Sequence, residues 1–307
     1  MIFFLKLIRY KNLLMVLLTM VLTKYALIDS FIQNSYLSNL EFSILVLSVV
    51  LITAGGYIIN DIFDIETDII NKPNNIFIDV TFSKTNAWKI YIILTLLGLI
   101  FGVYLSFNKH LSYHSLYFFV TIIGLFTYSK YLKSKVLLGN ILVSILCALV
   151  IYIIYSFDFR VVKNTLLENG SNESINNLQF GKSFTYFYVL FSFLTTLIRE
   201  IIKDIEDING DLKINAKTLP IVFGRKRAAK VAFFISSILL VFLLIILQFL
   251  GNKPLFLSYG ILLILLPLLY FLYKLWYAER KKDYTKLSAL MKIIMLFGIL
   301  SMLLFKF

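Results

Sequence analysis

Charge is scarce in this chain, and so are the residues that staple or ligate most soluble proteins. Only 15% of the 307 residues are charged, against 60% hydrophobic, and the mean hydropathy is +0.86. A soluble domain of this size could not hide that balance in one core without exposing apolar surface, so lipid must be the main solvent. The single cysteine, Cys147, sits inside an apolar run. That excludes a disulfide framework and a thiolate metal site and leaves core packing. The two histidines, His110 and His114, share one short loop with no third ligand nearby, and they read as exposed polar residues rather than a metal pair. No nucleic-acid-binding motif is present, so nucleic acid is not an expected partner.

What is present is a series of apolar runs of roughly 17 to 25 residues, the length that crosses about 30 Å of hydrocarbon. Nine are read, at 13–32, 39–60, 87–107, 114–129, 136–157, 184–200, 228–250, 255–275 and 287–305. The fold class is therefore all-α, a polytopic integral membrane protein of one domain over 1–307 with two pseudo-repeated halves. Lys6, Arg9 and Lys11 flank the first run as in a signal peptide, but no small-residue cleavage site follows, and the run is expected to stay. Of 30 Lys and Arg, only Lys109, Arg160, Lys163, Lys182, Lys253 and Lys306 fall on one face, while Lys24, Arg199 and Lys292 lie within or at the edge of spans. The remainder cluster on the opposite face, which the positive-inside rule makes cytoplasmic, in a cell inner membrane, together with the N-terminus. The net charge of +13 suits an anionic leaflet and an anionic substrate. Residues 158–183, rich in Asn, Ser and Glu, read as a solvated outward connection.

The second and sixth runs end in matched acidic clusters. One is Asn60-Asp61-Ile62-Phe63-Asp64-Ile65-Glu66-Thr67-Asp68, the other Lys203-Asp204-Ile205-Glu206-Asp207-Ile208-Asn209-Gly210-Asp211. Asp at i, i+3 and i+7 shares one helix face, so each cluster gathers three carboxylates. Carboxylates stacked beside hydrocarbon repel one another unless a cation neutralises them, and at a helix C-terminus they also oppose the macrodipole. Oxygen-only ligands point to Mg²⁺, which keeps waters and shares its shell with phosphate oxygens. Two clusters imply about two ions flanking one diphosphate, on the cytoplasmic face. Lys72, Lys130, Lys133, Arg199, Lys203, Lys213 and Lys217 supply positive charge nearby, and the hydroxyls of Tyr128 and Ser129 could meet phosphate or acceptor. Among 29 Phe and 19 Tyr, most face lipid or pack, and a few could line a tunnel and shield an allylic cation.

These residues resemble the UbiA superfamily of membrane prenyltransferases. Asn60, Asp61, Asp64 and Asp68 are similar to the family's N-D-x-x-D-x-x-x-D motif, followed by Asn71-Lys72-Pro73. Asp207 and Asp211 resemble its D-x-x-x-D motif, followed by Ala216-Lys217-Thr218-Leu219-Pro220 and Phe223-Gly224, and Arg9 with Asn12 its Arg-x-x-Asn. The resemblance covers nearly the whole chain and implies a nine-helix UbiA-like bundle that transfers a prenyl group from a prenyl diphosphate to a lipophilic acceptor. It implies one Mg²⁺ on Asn60, Asp64 and Asp68 and another on Asp207 and Asp211, with Asp61 and Asp204 in support. It also implies substrate contacts from Arg9, Asn12, Lys72, Tyr128, Lys130, Lys133, Arg199, Lys203 and Lys217. The run from Arg199 to Asp211 looks most like the branch that attaches geranylgeranyl to the hydroxyl of geranylgeranylglyceryl phosphate. An aromatic acceptor, a quinone or chlorophyll-type precursor, stays open. One departure is Asn75, where many relatives place an Arg, which puts one phosphate contact in question.

Two rivals from other classes are weaker. CDP-alcohol phosphotransferases open their acidic motif with D-G-x-x-A-R, which neither cluster has. A cation transporter would hold its carboxylates near the midplane, whereas these lie at span ends beside basic loops.

Overall fold

Ser38 starts the second long helix with a reciprocal cap. Its Oγ accepts from the Glu41 backbone N–H at 3.3 Å, while Glu41 Oε2 accepts from the Ser38 N–H at 2.9 Å. Ser83 begins the next with a one-sided cap, its hydroxyl accepting from the Asn86 N–H at 3.3 Å. The computed structural model describes residues 2–32, 35–71, 77–78, 82–169 and 172–306, with backbone alone at 159–169 and 172–175. The helices are α1 (Ile2–Leu7), α2 (Tyr10–Leu22), α3 (Asn39–Phe63), α4 (Ile65–Asn71), α5 (Lys84–Asn108), α6 (Ser115–Thr127) and α7 (Leu138–Asn169). They continue as α8 (Asn172–Lys213), α9 (Leu219–Phe223), α10 (Arg225–Phe249), α11 (Pro254–Tyr259), α12 (Leu266–Trp276) and α13 (Lys281–Leu300). Among the described residues, nine helical stretches are long and apolar enough to cross a membrane, at the places the hydropathy predicts.

Two expectations are corrected. The stretch 158–183 is helical on both sides of residues 170–171, because α7 runs on to Asn169 and α8 starts at Asn172. No Pro or Gly lies between Asp158 and Asn169, and extending a nucleated helix gains one hydrogen bond per residue fixed. His114 is buried rather than exposed. Its Nε2 lies 3.1 Å from the Ser156 carbonyl and 2.8 Å from Ser156 Oγ, and its ring packs among Tyr113, Tyr117 and Phe157. An imidazole whose nitrogen finds a partner loses little by burial, which hydropathy does not register.

The chain forms two compact units, Met1–Leu132 with Leu149–Tyr186, and Lys133–Ala148 with Phe187–Phe307. In the first, α3 and α5 pack closely because small residues face each other. Ser48 Oγ donates to the Gly98 carbonyl at 2.6 Å, and a Cβ on Gly98 would stand 2.9 Å from the Ser48 carbonyl oxygen and 2.8 Å from Ile52 Cγ1. Gly98→Ala is therefore expected to force the helices apart and destabilise the fold by about 1–3 kcal/mol. A lowered thermal midpoint of the detergent-purified protein checks this.

The same unit holds a buried ion pair. Lys24 Nζ lies 2.7 Å from Asp158 Oδ2, with the two side chains 1% and 0% exposed. Lys24 also donates to Ser35 Oγ at 3.0 Å and the Leu37 carbonyl at 3.1 Å, and Asp158 Oδ1 accepts from the Leu37 N–H at 2.7 Å.

In the second unit, Ile198, Ile201, Ile202 and Ile205 form one stripe of α8 and bury against α10 and α13, on Ala228, Ala232, Leu287, Met291 and neighbours. Their spacing of i, i+3, i+4 and i+7 leaves Glu200, Asp204, Asp207 and Asp211 on the opposite stripe.

Candidate active site

The first cluster sits where α3 ends. Ile58, Ile59 and Ile62 turn into a small core with Leu7 and Ala87, so Asn60, Asp61, Asp64 and Asp68 fall on the other side of the chain. The helix expected to carry them in one piece is broken at Asp64 (φ −95°, ψ 2°), and Asp68 lies on α4. Helical pitch survives the break, since the Asp64 N–H donates to the Asn60 carbonyl at 3.0 Å and the Asp68 N–H to the Asp64 carbonyl at 2.8 Å. Asn60 Nδ2 donates to Asp64 Oδ2 at 2.5 Å. Asp64 is buried, and this amide bond orients its carboxylate.

Asp61 has a different partner. Arg9 sits in a left-handed turn (φ 51°) between α1 and α2, and its Nη2 lies 2.6 Å from Asp61 Oδ1, with the guanidinium 5.2 Å from the Tyr57 ring centroid. Burial alone would lower the Arg9 pKa, but the charge of Asp61 and the neighbouring Tyr57 outweigh it and hold the group above its ordinary range. Arg9 therefore stays charged and Asp61 is committed to it. Asn12 begins its turn by donating its backbone N–H to the Arg9 carbonyl at 2.8 Å.

The second cluster lies on unbroken α8, as the spacing predicts. Asp204 Oδ2 accepts from Asn140 Nδ2 at 2.8 Å, Glu206 Oε1 accepts from Thr285 Oγ1 at 2.8 Å, and Asp211 is buried with its carbonyl accepting from the Ala216 N–H at 3.0 Å. One turn before Asp204, the buried carboxylate of Glu200 takes Arg199 Nη1 at 3.0 Å and Lys203 Nζ at 2.9 Å, and Lys133 adds its charge. The Lys217 N–H donates to the Ser134 carbonyl at 2.7 Å. Arg199, Lys203, Lys133 and Lys217 thus belong to one region of the second unit.

Tyr128 opens a widened helical turn at Tyr128–Leu132, in the first unit, where Lys130 is exposed and 4.9 Å from the Tyr131 ring centroid. Ser129 is less available than its position suggests, being buried with its hydroxyl donated to the Leu125 carbonyl at 2.9 Å. Lys72 and Asn75 lie outside the described residues.

Sequence reasoning assigned no role to Glu200 or Asn140. A signal existed for Glu200, which stands four residues before Asp204 on the same stripe, whereas Asn140 was only one polar residue in an apolar run.

Among the described residues, no three His, Cys, Asp or Glu side chains gather into a ready-made metal cage. The donors still fit Mg²⁺. They are all oxygens, aligned by an amide at Asp64 and at Asp204, and Mg²⁺ takes one or two carboxylates and completes its shell with water and phosphate.

A family profile described as the UbiA prenyltransferase family matches residues 13–296. A digeranylgeranylglyceryl phosphate synthase of Saccharolobus solfataricus is 33% identical over 258 residues, 81% of this chain and 80% of the relative. A protein of the same name from Methanosphaera stadtmanae is 31% identical over 284 residues, 90% of both chains. Among solved structures, one described as giving insights into the biosynthesis of digeranylgeranylglyceryl phosphate synthase in membranes aligns with a TM-score of 0.66 and 24% identity, over 98% of this chain and 96% of the other. A UbiA homolog from Archaeoglobus fulgidus bound to DMAPP and Mg²⁺ aligns at 0.56 and 17% identity, over 97% and 98% of the two chains. At these identities the solved structures share the fold with this chain.

Proposed function

This chain belongs to the UbiA prenyltransferase family, and from that premise we propose that it moves a geranylgeranyl group from its diphosphate to the hydroxyl of geranylgeranylglyceryl phosphate. The observation that carries the choice of acceptor is the extent of the likeness to synthases of that product, 80–90% of both chains. The clustering of Arg199, Lys203 and Lys133 around α8 supports it, since a phosphate-bearing acceptor calls for cations that a neutral aromatic ring does not.

In this reading residues 1–307 work as one prenyltransferase domain and each half contributes one acidic cluster. Asn60, Asp64 and Asp68 would hold one Mg²⁺ and Asp207 and Asp211 the other. When bound, Mg²⁺ neutralises diphosphate charge and makes diphosphate a better leaving group. Asn60 orients Asp64 through its amide, Arg9 holds Asp61 beside it, and Asn140 orients Asp204. Lys72, Lys130, Lys217, Arg199 and Lys203 bind phosphate oxygens, with Asn12 and Tyr128 in support. The allylic C–O bond breaks, the acceptor oxygen forms an ether to the same carbon, and the hydroxyl proton leaves with inorganic diphosphate as the other product. Both clusters and the N-terminus face the cytoplasm, in keeping with the basic loops beside them.

The test is transfer from labelled geranylgeranyl diphosphate by the purified protein. Geranylgeranylglyceryl phosphate is expected to be used at least about 10²-fold faster than aromatic acids, because a site that grips a phosphate gains nothing there from an acceptor that lacks one, and chelating Mg²⁺ should stop the reaction. Faster transfer to an aromatic ring would replace this acceptor.

A further inference from the structure

Glu200 looks like a fourth acid of the second cluster. It precedes Asp204 by four residues on the same stripe of α8, about 6 Å further along the helix axis. Its surroundings assign it other work. Both carboxylate oxygens are occupied, Oε1 by Arg199 Nη1 at 3.0 Å and Lys203 Nζ at 3.1 Å, Oε2 by Lys203 Nζ at 2.9 Å. The Glu200 side chain is 10% exposed, whereas Arg199 and Lys203 are 24% and 30% exposed. The acid is thus the buried root of the group and the cations are its outer parts. Arg199 carries five N–H donors, and its buried Nε has no acceptor among the described residues. A buried donor without an acceptor is destabilising, and a phosphate oxygen would satisfy it. Two cations four residues apart on one helix repel when nothing lies between them, and Glu200, bonded to both, offsets that repulsion.

We infer that Glu200 is a positioning residue that holds Arg199 and Lys203 together as a two-pronged phosphate clamp, and that it is not a metal ligand. The inference rests on the reading given under Proposed function and deepens it. The phosphate is that of the donor diphosphate or of the acceptor's monoester. A fork-shaped guanidinium and a compact ammonium suit either, and both would be gripped through charge-assisted hydrogen bonds.

The test compares wild type, Glu200→Gln and Glu200→Asp as full-length protein in detergent. Calorimetry measures binding of inorganic pyrophosphate with saturating Mg²⁺, and of glycerol phosphate without it. Steady-state transfer gives KM for each substrate and the half-saturating Mg²⁺ concentration. Glu200→Gln is expected to weaken one of the two anions about tenfold, the share of one charge-assisted hydrogen bond. It should raise the KM of the matching substrate by a similar factor and leave half-saturating Mg²⁺ unchanged, with Glu200→Asp partly restoring affinity. Loss of pyrophosphate names the donor as the source, and loss of glycerol phosphate names the acceptor. If Glu200→Gln loses its thermal transition, the variant Arg199→Gln/Glu200→Gln/Lys203→Gln, which removes the three charges together, should regain it and show the same loss of anion binding. Raised half-saturating Mg²⁺ with unchanged anion affinity, or no change in any quantity, overturns the inference. Anion binding is read without turnover, so a protein that binds these anions through Glu200 yet transfers no prenyl group would sink the functional reading alone.

Discussion

Alanine in place of Asp64 or of Asp207 is expected to lower kcat for prenyl transfer by at least about 10³-fold, the scale set by removing a group that stabilises developing charge. Both side chains are assigned to ions that neutralise the leaving diphosphate, and they come from different helices, Asp64 capping the C-terminus of α3 and Asp207 lying on α8. Neither helix depends on its acid for packing, because the core stripes are Ile58, Ile59 and Ile62 on one and Ile198, Ile201, Ile202 and Ile205 on the other. Thermal melting in detergent should therefore stay near wild type while labelled product disappears. Asp61→Asn gives a useful contrast. Its carboxylate is already committed to Arg9, so a milder loss of about tenfold is expected, the worth of one charge-assisted bond. Wild-type rates from Asp64→Ala or Asp207→Ala would remove those residues from the chemistry.

The largest expected effect on stability lies at the opposite end of the first unit. Lys24→Met leaves the Asp158 carboxylate buried at 0% exposure with its cation gone, and breaking such a pair from one side costs about 3–5 kcal/mol. Asp158→Leu strands Lys24 in the same way and also takes the acceptor from the Leu37 N–H. The double variant Lys24→Met/Asp158→Leu removes both charges, and most of the loss should be recovered, since apolar replacement of a complete buried pair is often neutral or better. Chemical denaturation of the four proteins in mixed micelles measures the coupling. Additive losses in the double variant would mean that the two side chains act independently.

Much of this protein was legible because lipid imposes simple rules. A helix must be long and apolar to cross, so the nine runs and their order could be read from hydropathy. The two acidic clusters stood out because the same spacing recurs at the ends of two such runs, and the continuous α8 bears out the stripe expected for the second. What hydropathy could not show was polar pairing within the bundle. His114 and Ser156, Lys24 and Asp158, and Asn140 and Asp204 are joined across 42, 134 and 64 residues of sequence respectively, and each member alone looks like a surface residue or an accident within a span. The break at Asp64 was hidden for a related reason. No Pro or Gly marks it, and it shows only in the backbone angles of the residue whose carboxylate Asn60 orients.

The claim on which the functional reading turns is that each acidic cluster supplies one metal ion to a single prenyl diphosphate. Counting Mn²⁺ bound per chain by electron paramagnetic resonance, with and without an unreactive prenyl thiodiphosphate, tests it most directly. About two ions should bind to wild type with the diphosphate present, and about one to either Asp64→Ala/Asp68→Ala or Asp207→Ala/Asp211→Ala. Two ions retained by a variant that lacks one whole cluster would contradict the claim.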